Sequence, residues 1–251
     1  MGGRVKNPGR APVPDGQPDG QPGAQPSGQP GGQADGRATR WDDHRESRRA
    51  TLVQAAVTAI DELGPAASVA DIARAAGVSK PVLYRYFADK SDLHAAVGHW
   101  GATQVVERLM PVLLADQPLR EKVYRGCDEY LALIAEHPHV FLLLVEHRAV
   151  GDPLADGKQR VAAAFARVLG DTLRSFGIDA SGAEPWAQGL VGLGLATGEW
   201  WLRRNTMSRA AVADHLGSFV WHALEGIADE HGVALDADGR PGPAPGQAGP
   251  R

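Results

Sequence analysis

The stretch Ser68–Lys90, SVADIARAAGVSKPVLYRYFADK, constrains the fold more than any other part of the chain. Ser68 stands before Val69 with Asp71 three residues on, which is a capping-box pattern. The serine oxygen accepts from an orphan backbone N–H, and the acid sits at the positive end of the new helix. Ile72, Ala73 and Ala76 give that helix one apolar face, and Gly77 stops it as the residue that takes positive φ at no cost. Val78 is the small apolar plug of a tight turn. Ser79 is expected to cap a second short helix, with Pro81 in its first turn, where a missing N–H does no harm. The punctuation predicts a helix-turn-helix.

The second helix has two faces. Leu83 and Phe87, four apart, turn inward together with Ile72 and Val78. Lys80, Pro81, Tyr84 and Arg85 form the opposite stripe. A cation, a rigid apolar wedge, a tyrosine and an arginine suit a major groove. Cations and the hydroxyl reach phosphates or base edges, and Pro81 or Val82 can touch a thymine methyl. Lys90, at the mouth of the next helix, suits one more phosphate. The bland alternative is a solvated surface helix, and the turn signature in front argues against it.

The run GPAASVADIARAAGVSKPVLYRYFADKSDL resembles the N-terminal DNA-binding domain of the TetR family of bacterial regulators. The matching residues are Gly64, Ser68, Ile72–Ala73, Ala76–Gly77–Val78–Ser79, Leu83–Tyr84, Tyr86–Phe87, Lys90 and Leu93. The resemblance implies Lys80, Pro81, Val82 and Tyr84 near base edges, and Tyr84, Tyr86 and Lys90 near phosphates; Arg48 and Ser68 complete the expected DNA-binding set. This sequence departs from the family pattern at Tyr86, where His is commoner, and at Ser68, where Thr is usual. Both substitutions keep a hydrogen-bonding group.

With a net charge of −4 over 251 residues, the chain is no general nucleic-acid coating protein. DNA affinity must come from local placement of Arg45, Arg48, Arg49, Lys80, Arg85 and Lys90. Cys127 is alone, so no intrachain disulfide and no cysteine-based metal site can form, and its apolar neighbours suggest a small buried residue rather than a redox sensor. No apolar run approaches the roughly 20 residues of a membrane helix, and no hydrophobic signal core opens the chain, so a cytoplasmic location is expected.

Residues 1–40 are built from Gly, Pro, Gln, Asp and Ala in a loose repeat that buries nothing, and residues 233–251 read the same way; both are expected to be disordered tails. Between them, 41–95 is the helix-turn-helix domain and 96–232 a larger helical domain for regulation and dimerisation. Helical spacing places helices over about Asp43–Leu63, from Ser91 toward Leu114, Leu119–Ala135, from Pro153 to Gly177, Pro185–Arg204 and Ser208–Asp229, with a buried apolar stretch at Val140–Val145. The helix from Ser91 is the natural lever between the domains. No period-2 alternation or strand-flanked hairpin turn is legible. The expected fold is all-α.

The helix from Pro185 carries Gly189, Gly192, Gly194 and Gly198, each costing roughly 1 kcal/mol against alanine, so close approach of another helix should compensate. No strand precedes this run and no Lys-Ser/Thr follows, which argues against a nucleotide site. The TetR resemblance implies a homodimer built on the last two helices, through Leu190, Gly194, Val212, Leu216, Phe219, Val220 and Ala223. It also implies a cavity for a small-molecule effector, expected to be lined by Trp100, Phe141, Val145, His147, Phe165, Leu193 and Trp200. His137, His139, Glu146 and Glu199 are further polar candidates. His137 and His139 straddle a proline and cannot share one helical face, so no metal site is assigned. No catalytic constellation and no cofactor fingerprint is present.

The run VGLGLATGEWWLRRNTMSRAAV, taken with the recognition helix, resembles an actinobacterial TetR subgroup linked to fatty-acid and lipid control, which implies an elongated apolar or acyl effector. The expected protein is a homodimeric repressor of a palindromic operator. An activator of the same fold is one alternative; a helical lipid carrier or enzyme with a vestigial helix-turn-helix is another.

Overall fold

The computed structural model describes residues 32–146 and 152–243, with side chains described from His44 to Gly242. The chain divides into two compact units, one ending at His44 and one beginning at Arg45. The helix-turn-helix head (Arg45 to the start of the helix at Lys90), the cavity and the C-terminal hairpin belong to the second.

Among the described residues the order is α1 (Gly32–Leu63), α2 (Val69–Ala75), α3 (Lys80–Tyr84), α4 (Lys90–Leu114), α5 (Leu119–Glu136), α6 (Pro138–Glu146), α7 (Ala155–Ser175), α8 (Ala183–Arg204), α9 (Arg209–Glu230), β1 (Val233–Leu235) and β2 (Pro241–Pro243). The fold is all-helical but for that hairpin.

Chain punctuation sets most of these boundaries. Gly64 takes φ +90° behind α1, Gly77 +63° behind α2 and Gly177 +74° behind α7. Pro138 opens α6 directly after His137, whose φ −130° and ψ 56° end α5, because the residue before a proline is pushed out of the helical region. Asn205, at φ 46°, closes α8.

Two expectations need correction here. The tail predicted to run through residue 40 does not: α1 begins at Gly32. Pro30 is the last proline before Pro65, and Ala34, Arg37, Ala38 and Arg40 favour helix, so nothing breaks the backbone ahead of Asp43. The C-terminal tail, predicted disordered from 233, instead starts with an antiparallel ribbon in which Val233 faces Pro243 and Leu235 faces Pro241. Asp236 builds its turn: the Asp236 carboxylate accepts from the N–H groups of Asp238 at 2.9 Å and Arg240 at 2.8 Å. Residues 1–31 and 244–251 lie outside the described residues.

One core unites the head with its neighbours. Leu52, Ile60, Ile72, Leu83, Phe87 and Leu93 are each about 1 % exposed or less, and Val140, Leu143, Leu144 and Val145 of α6 belong to the same cluster. Burying each such side chain stabilises by about 1.5–3 kcal/mol. A second cluster joins Leu131 and Ile134 of α5 to Trp201 of α8 and Val212 of α9, so α5, α8 and α9 form one body.

Candidate nucleic-acid interface and cavity

The capping box at the start of α2 is complete. Asp71 N–H donates to Ser68 Oγ at 3.2 Å, while Ser68 N–H donates to Asp71 Oδ2 at 3.0 Å and Ser68 Oγ–H to the same oxygen at 2.6 Å. These serine bonds hold the Asp71 carboxyl below its usual pKa. The Ser68 hydroxyl, expected at DNA, is committed within this box. Gly77 then turns the chain, and Val78 N–H donates back to the Ala73 carbonyl at 2.9 Å. Ser79 stands at the N-cap of α3 with extended backbone but makes no side-chain cap bond, contrary to the cap expected of it; its carbonyl instead receives Val82 and Leu83 N–H.

α3 separates its faces as its spacing demands. Leu83 and Phe87 are buried, while Lys80, Pro81 and Arg85 are exposed and Tyr84 is 47 % exposed. Val82 and Tyr86 are half-buried, with Tyr86 packed against the core. Lys90, in the first turn of α4, and Arg48 on α1 are exposed. Arg49 is not available to a phosphate in the way its spacing suggested. Its guanidinium bonds Asp92 at 2.8 Å and lies 4.7 Å from the Phe87 ring centroid. A long cation over an aromatic face with a carboxylate at its tip is held by the protein.

Beyond the head, α4, α5, α7, α8 and α9 line a half-open cavity of about 750 Å³, with α6 and the hairpin as further walls. Trp100, Phe141, Phe165 and Leu193 line it as expected. Val145 does not: it is 5 % exposed within the core shared with the head. Trp200 does not either, standing 43 % exposed on α8. The reason is helical phase, since Trp201 takes the inward position and donates its Nε1–H to the Met207 carbonyl at 3.0 Å. His147 lies outside the described residues.

The other polar candidates are engaged elsewhere. Glu146 and Glu199 both pair with Arg203, at 2.8 and 3.2 Å. His137 lines the cavity, but its Nδ1 donates to Asp61 Oδ2 at 2.6 Å, and His139 Nδ1 donates to the Asp61 carbonyl at 2.8 Å. Cys127 also lines the cavity, and burial pushes its thiol up to about 12, so it stays protonated near neutrality. Sequence reasoning overlooked Tyr130, whose hydroxyl is buried without a hydrogen-bond partner and whose pKa burial raises. A lone tyrosine at helical spacing carries no signal that sets it apart from ordinary core.

The expected dimer residues split. Val212 and Leu216 are buried, and Leu190, Gly194, Leu216 and Val220 line the cavity, so these face inward. In the single chain, α8 and α9 turn that face toward the helices of their own body. Phe219, 65 % exposed, and Ala223 do face outward. The glycines of α8 divide in the same manner. A Cβ on Gly198 would lie 2.8 Å from Ile134 Cδ1 and 2.9 Å from Phe141 Cζ, whereas Gly189 and Gly192 meet nothing within 4 Å.

A capped helix-turn-helix with an outward Lys80–Tyr84 stripe, on an all-helical body with an internal cavity, defines a DNA-binding transcriptional regulator. Comparison with known proteins gives the family. Residues 52–97 match "Bacterial regulatory proteins, tetR family", and residues 108–235 match "Tetracyclin repressor-like, C-terminal domain". An uncharacterized helix-turn-helix transcriptional regulator of Mycobacterium tuberculosis is 33 % identical over 213 residues, covering 83 % of this chain and 91 % of the relative. The transcriptional activator FasR of Mycolicibacterium smegmatis is 27 % identical, over 73 % of this chain and 85 % of its own. Among solved structures, a TetR-family regulator from Streptomyces coelicolor superposes with a TM-score of 0.60 at 24 % identity, covering 74 % of this chain and 83 % of the other. FadR from Bacillus subtilis, solved with stearoyl-CoA, gives 0.53 at 19 % identity, covering 67 % and 95 %. The chain belongs to the TetR family, a family of transcriptional regulators rather than enzymes. Among the described residues, no helix is long and apolar enough to cross a membrane.

Proposed function

We propose that the chain is a homodimeric repressor whose grip on a palindromic operator is set by an elongated, apolar, acyl-type ligand. The observation that carries this reading is the cavity. Its lining on α5 extends from Leu119 to Ile134, which at the helical rise makes it roughly 20 Å long. A volume of about 750 Å³ over that length leaves a narrow channel, suited to a single extended chain and walled by side chains such as Leu109, Val161 and Leu193. FadR, of the same fold, was solved with stearoyl-CoA, and that ligand is the probe of choice here.

Exposed positions on α8 and on α9 support the dimer. Gly189 and Gly192 of α8 and Phe219, Ala223 and Gly226 of α9 are exposed, and a Cβ on any of the three glycines would meet nothing of this chain within 4 Å. Helical glycines cost roughly 1 kcal/mol each unless a close neighbour compensates. A second copy supplies that neighbour and pairs two α3 helices for two half-sites. The DNA-facing set is Arg48, Lys80, Pro81, Val82, Tyr84, Tyr86 and Lys90, with Ser68 placing the start of α2. A ligand favouring one spacing of the two heads shifts the population on or off DNA.

Native mass spectrometry of freshly purified chain tests stoichiometry and co-purified ligand together. A dimer that loses DNA on adding stearoyl-CoA supports the reading, and a monomer that binds no acyl ligand contradicts it. An activator is the second reading, favoured by the name of the FasR relative; a promoter reporter with and without the gene separates the two signs.

A further inference from the structure

α6 is the partition between cavity and head. Phe141 and Leu144 line the cavity, while Leu143 and Val145 are buried in the cluster that holds Leu52, Ile60, Leu83 and Phe87. One nine-residue helix therefore serves both compartments. Its N-terminal end is fastened to the head at Asp61, on the last turn of α1. Asp61 Oδ2 accepts from His137 Nδ1 at 2.6 Å, the Asp61 carbonyl accepts from His139 Nδ1 at 2.8 Å, and Asp61 Oδ1 receives Val140 N–H at 3.4 Å.

The carboxylate is oddly placed for helix stability. An acid near a helix C-terminus opposes the macrodipole, which favours a donor from outside the helix. His137 is that donor, and it sits where one is favoured, at the C-cap of α5. His137 also meets the Trp100 ring edge-on, with centroids 5.0 Å apart, and both rings line the cavity. Asp61, His137 and Trp100 thus join α1, the end of α5 and α4 at one point on the cavity wall.

We propose that Asp61 and His137 are the positioning pair that carries cavity occupancy to the reading head. A ligand that displaces Trp100, Phe141 or Leu144 moves the start of α6, and the Asp61 bonds make α1 follow. The inference rests on the ligand-responsive reading given above. It adds to the α4 lever a second arm ending on α1, and it assigns that arm to two residues 76 apart in the sequence.

The test uses the full chain, stearoyl-CoA, and the DNA fragment that the wild-type chain selects from a random pool. Wild type is expected to change its DNA affinity roughly tenfold with stearoyl-CoA. Asp61→Ala, which lies off the cavity wall, should bind stearoyl-CoA as wild type does, by tryptophan quenching, yet change its DNA affinity less than about threefold, and His137→Leu should respond equally little at stearoyl-CoA concentrations that saturate it. His137→Asn, which restores a donor near the Nδ1 position, should recover the response. Without ligand, amide hydrogen exchange over residues 57–63 should be faster in His137→Leu while α5–α9 stay as in wild type. If His137→Leu does not fold, Asp61→Ala, which removes the acceptor, carries the expectations for DNA response and exchange alone. A full response in His137→Leu, or unchanged exchange over 57–63, overturns the proposal. If stearoyl-CoA leaves wild-type DNA affinity unchanged, the acyl-ligand reading falls, and the exchange measurement alone decides the Asp61–His137 link.

Discussion

Arg49 of α1 reaches Asp92 in the first turn of α4, guanidinium to carboxylate at 2.8 Å, across the face of the Phe87 ring. Asp92 also accepts the Ala88 N–H at 2.9 Å, and Arg49 Nε–H points at the Tyr86 carbonyl at 3.4 Å. The pair therefore clamps the segment that leads out of α3. Both side chains are more than a third exposed, which keeps the stabilisation modest. Arg49→Ala should cost about 1 kcal/mol, since an exposed pair and an exposed cation–π contact each contribute less than that. Urea melts at low and high salt would show it, with a smaller difference at high salt.

Tyr84→Ala should weaken binding to the selected DNA by about 1–3 kcal/mol if the tyrosine meets a base edge, while changing stability by less than about 0.5 kcal/mol. Lys90→Ala should weaken binding to all sequences alike and make the salt dependence shallower by about one phosphate. Anisotropy titrations at several salt concentrations, beside thermal melts, read both. A Tyr84→Ala chain that fails to fold would contradict the outward placement.

The glycines of α8 give a paired prediction. Gly198→Ala pushes a methyl against Ile134 and Phe141 and should destabilise by about 1–3 kcal/mol. Gly192→Ala meets open space and should stabilise the isolated helix by up to about 1 kcal/mol while weakening self-association. Denaturant melts combined with sedimentation separate the two effects. Unchanged self-association in Gly192→Ala would remove this face from the interface.

Cys127 offers a pH test. Burial raises its thiol from 9.0 to about 12 in the folded chain. The folded value is the higher one, so its contribution to stability is complete below pH 9 and is lost as pH climbs toward 12. At pH 8 the native thiol should resist iodoacetamide and should react only in denaturant. Fast native alkylation would contradict the burial.

Local signals carried the head. Ser68, Asp71, Gly77 and Pro81 act within a few residues of one another, and the structure places each where its chemistry demands, save that Ser79 makes no side-chain cap bond. What sequence hid were relationships across distance. Asp61 looks like one more surface acid until His137 arrives from 76 residues away. Arg49 read as a phosphate ligand because spacing cannot reveal that Asp92 and Phe87 converge on it. Trp200 and Trp201 are adjacent and equally apolar, and only helix phase decides which is buried. The hairpin escaped notice because its strands are three residues each and the second begins and ends on a proline.

The central claim is that α3 reads DNA through Lys80 and Tyr84. Its most direct test is the anisotropy of full-length wild type and of the Lys80→Ala/Tyr84→Ala double variant on selected and scrambled duplexes at moderate salt. Wild type should prefer the selected duplex by about a thousandfold or more, and the folded variant should bind both alike. A wild-type chain that selects no sequence, or a double variant that keeps the preference, would contradict it.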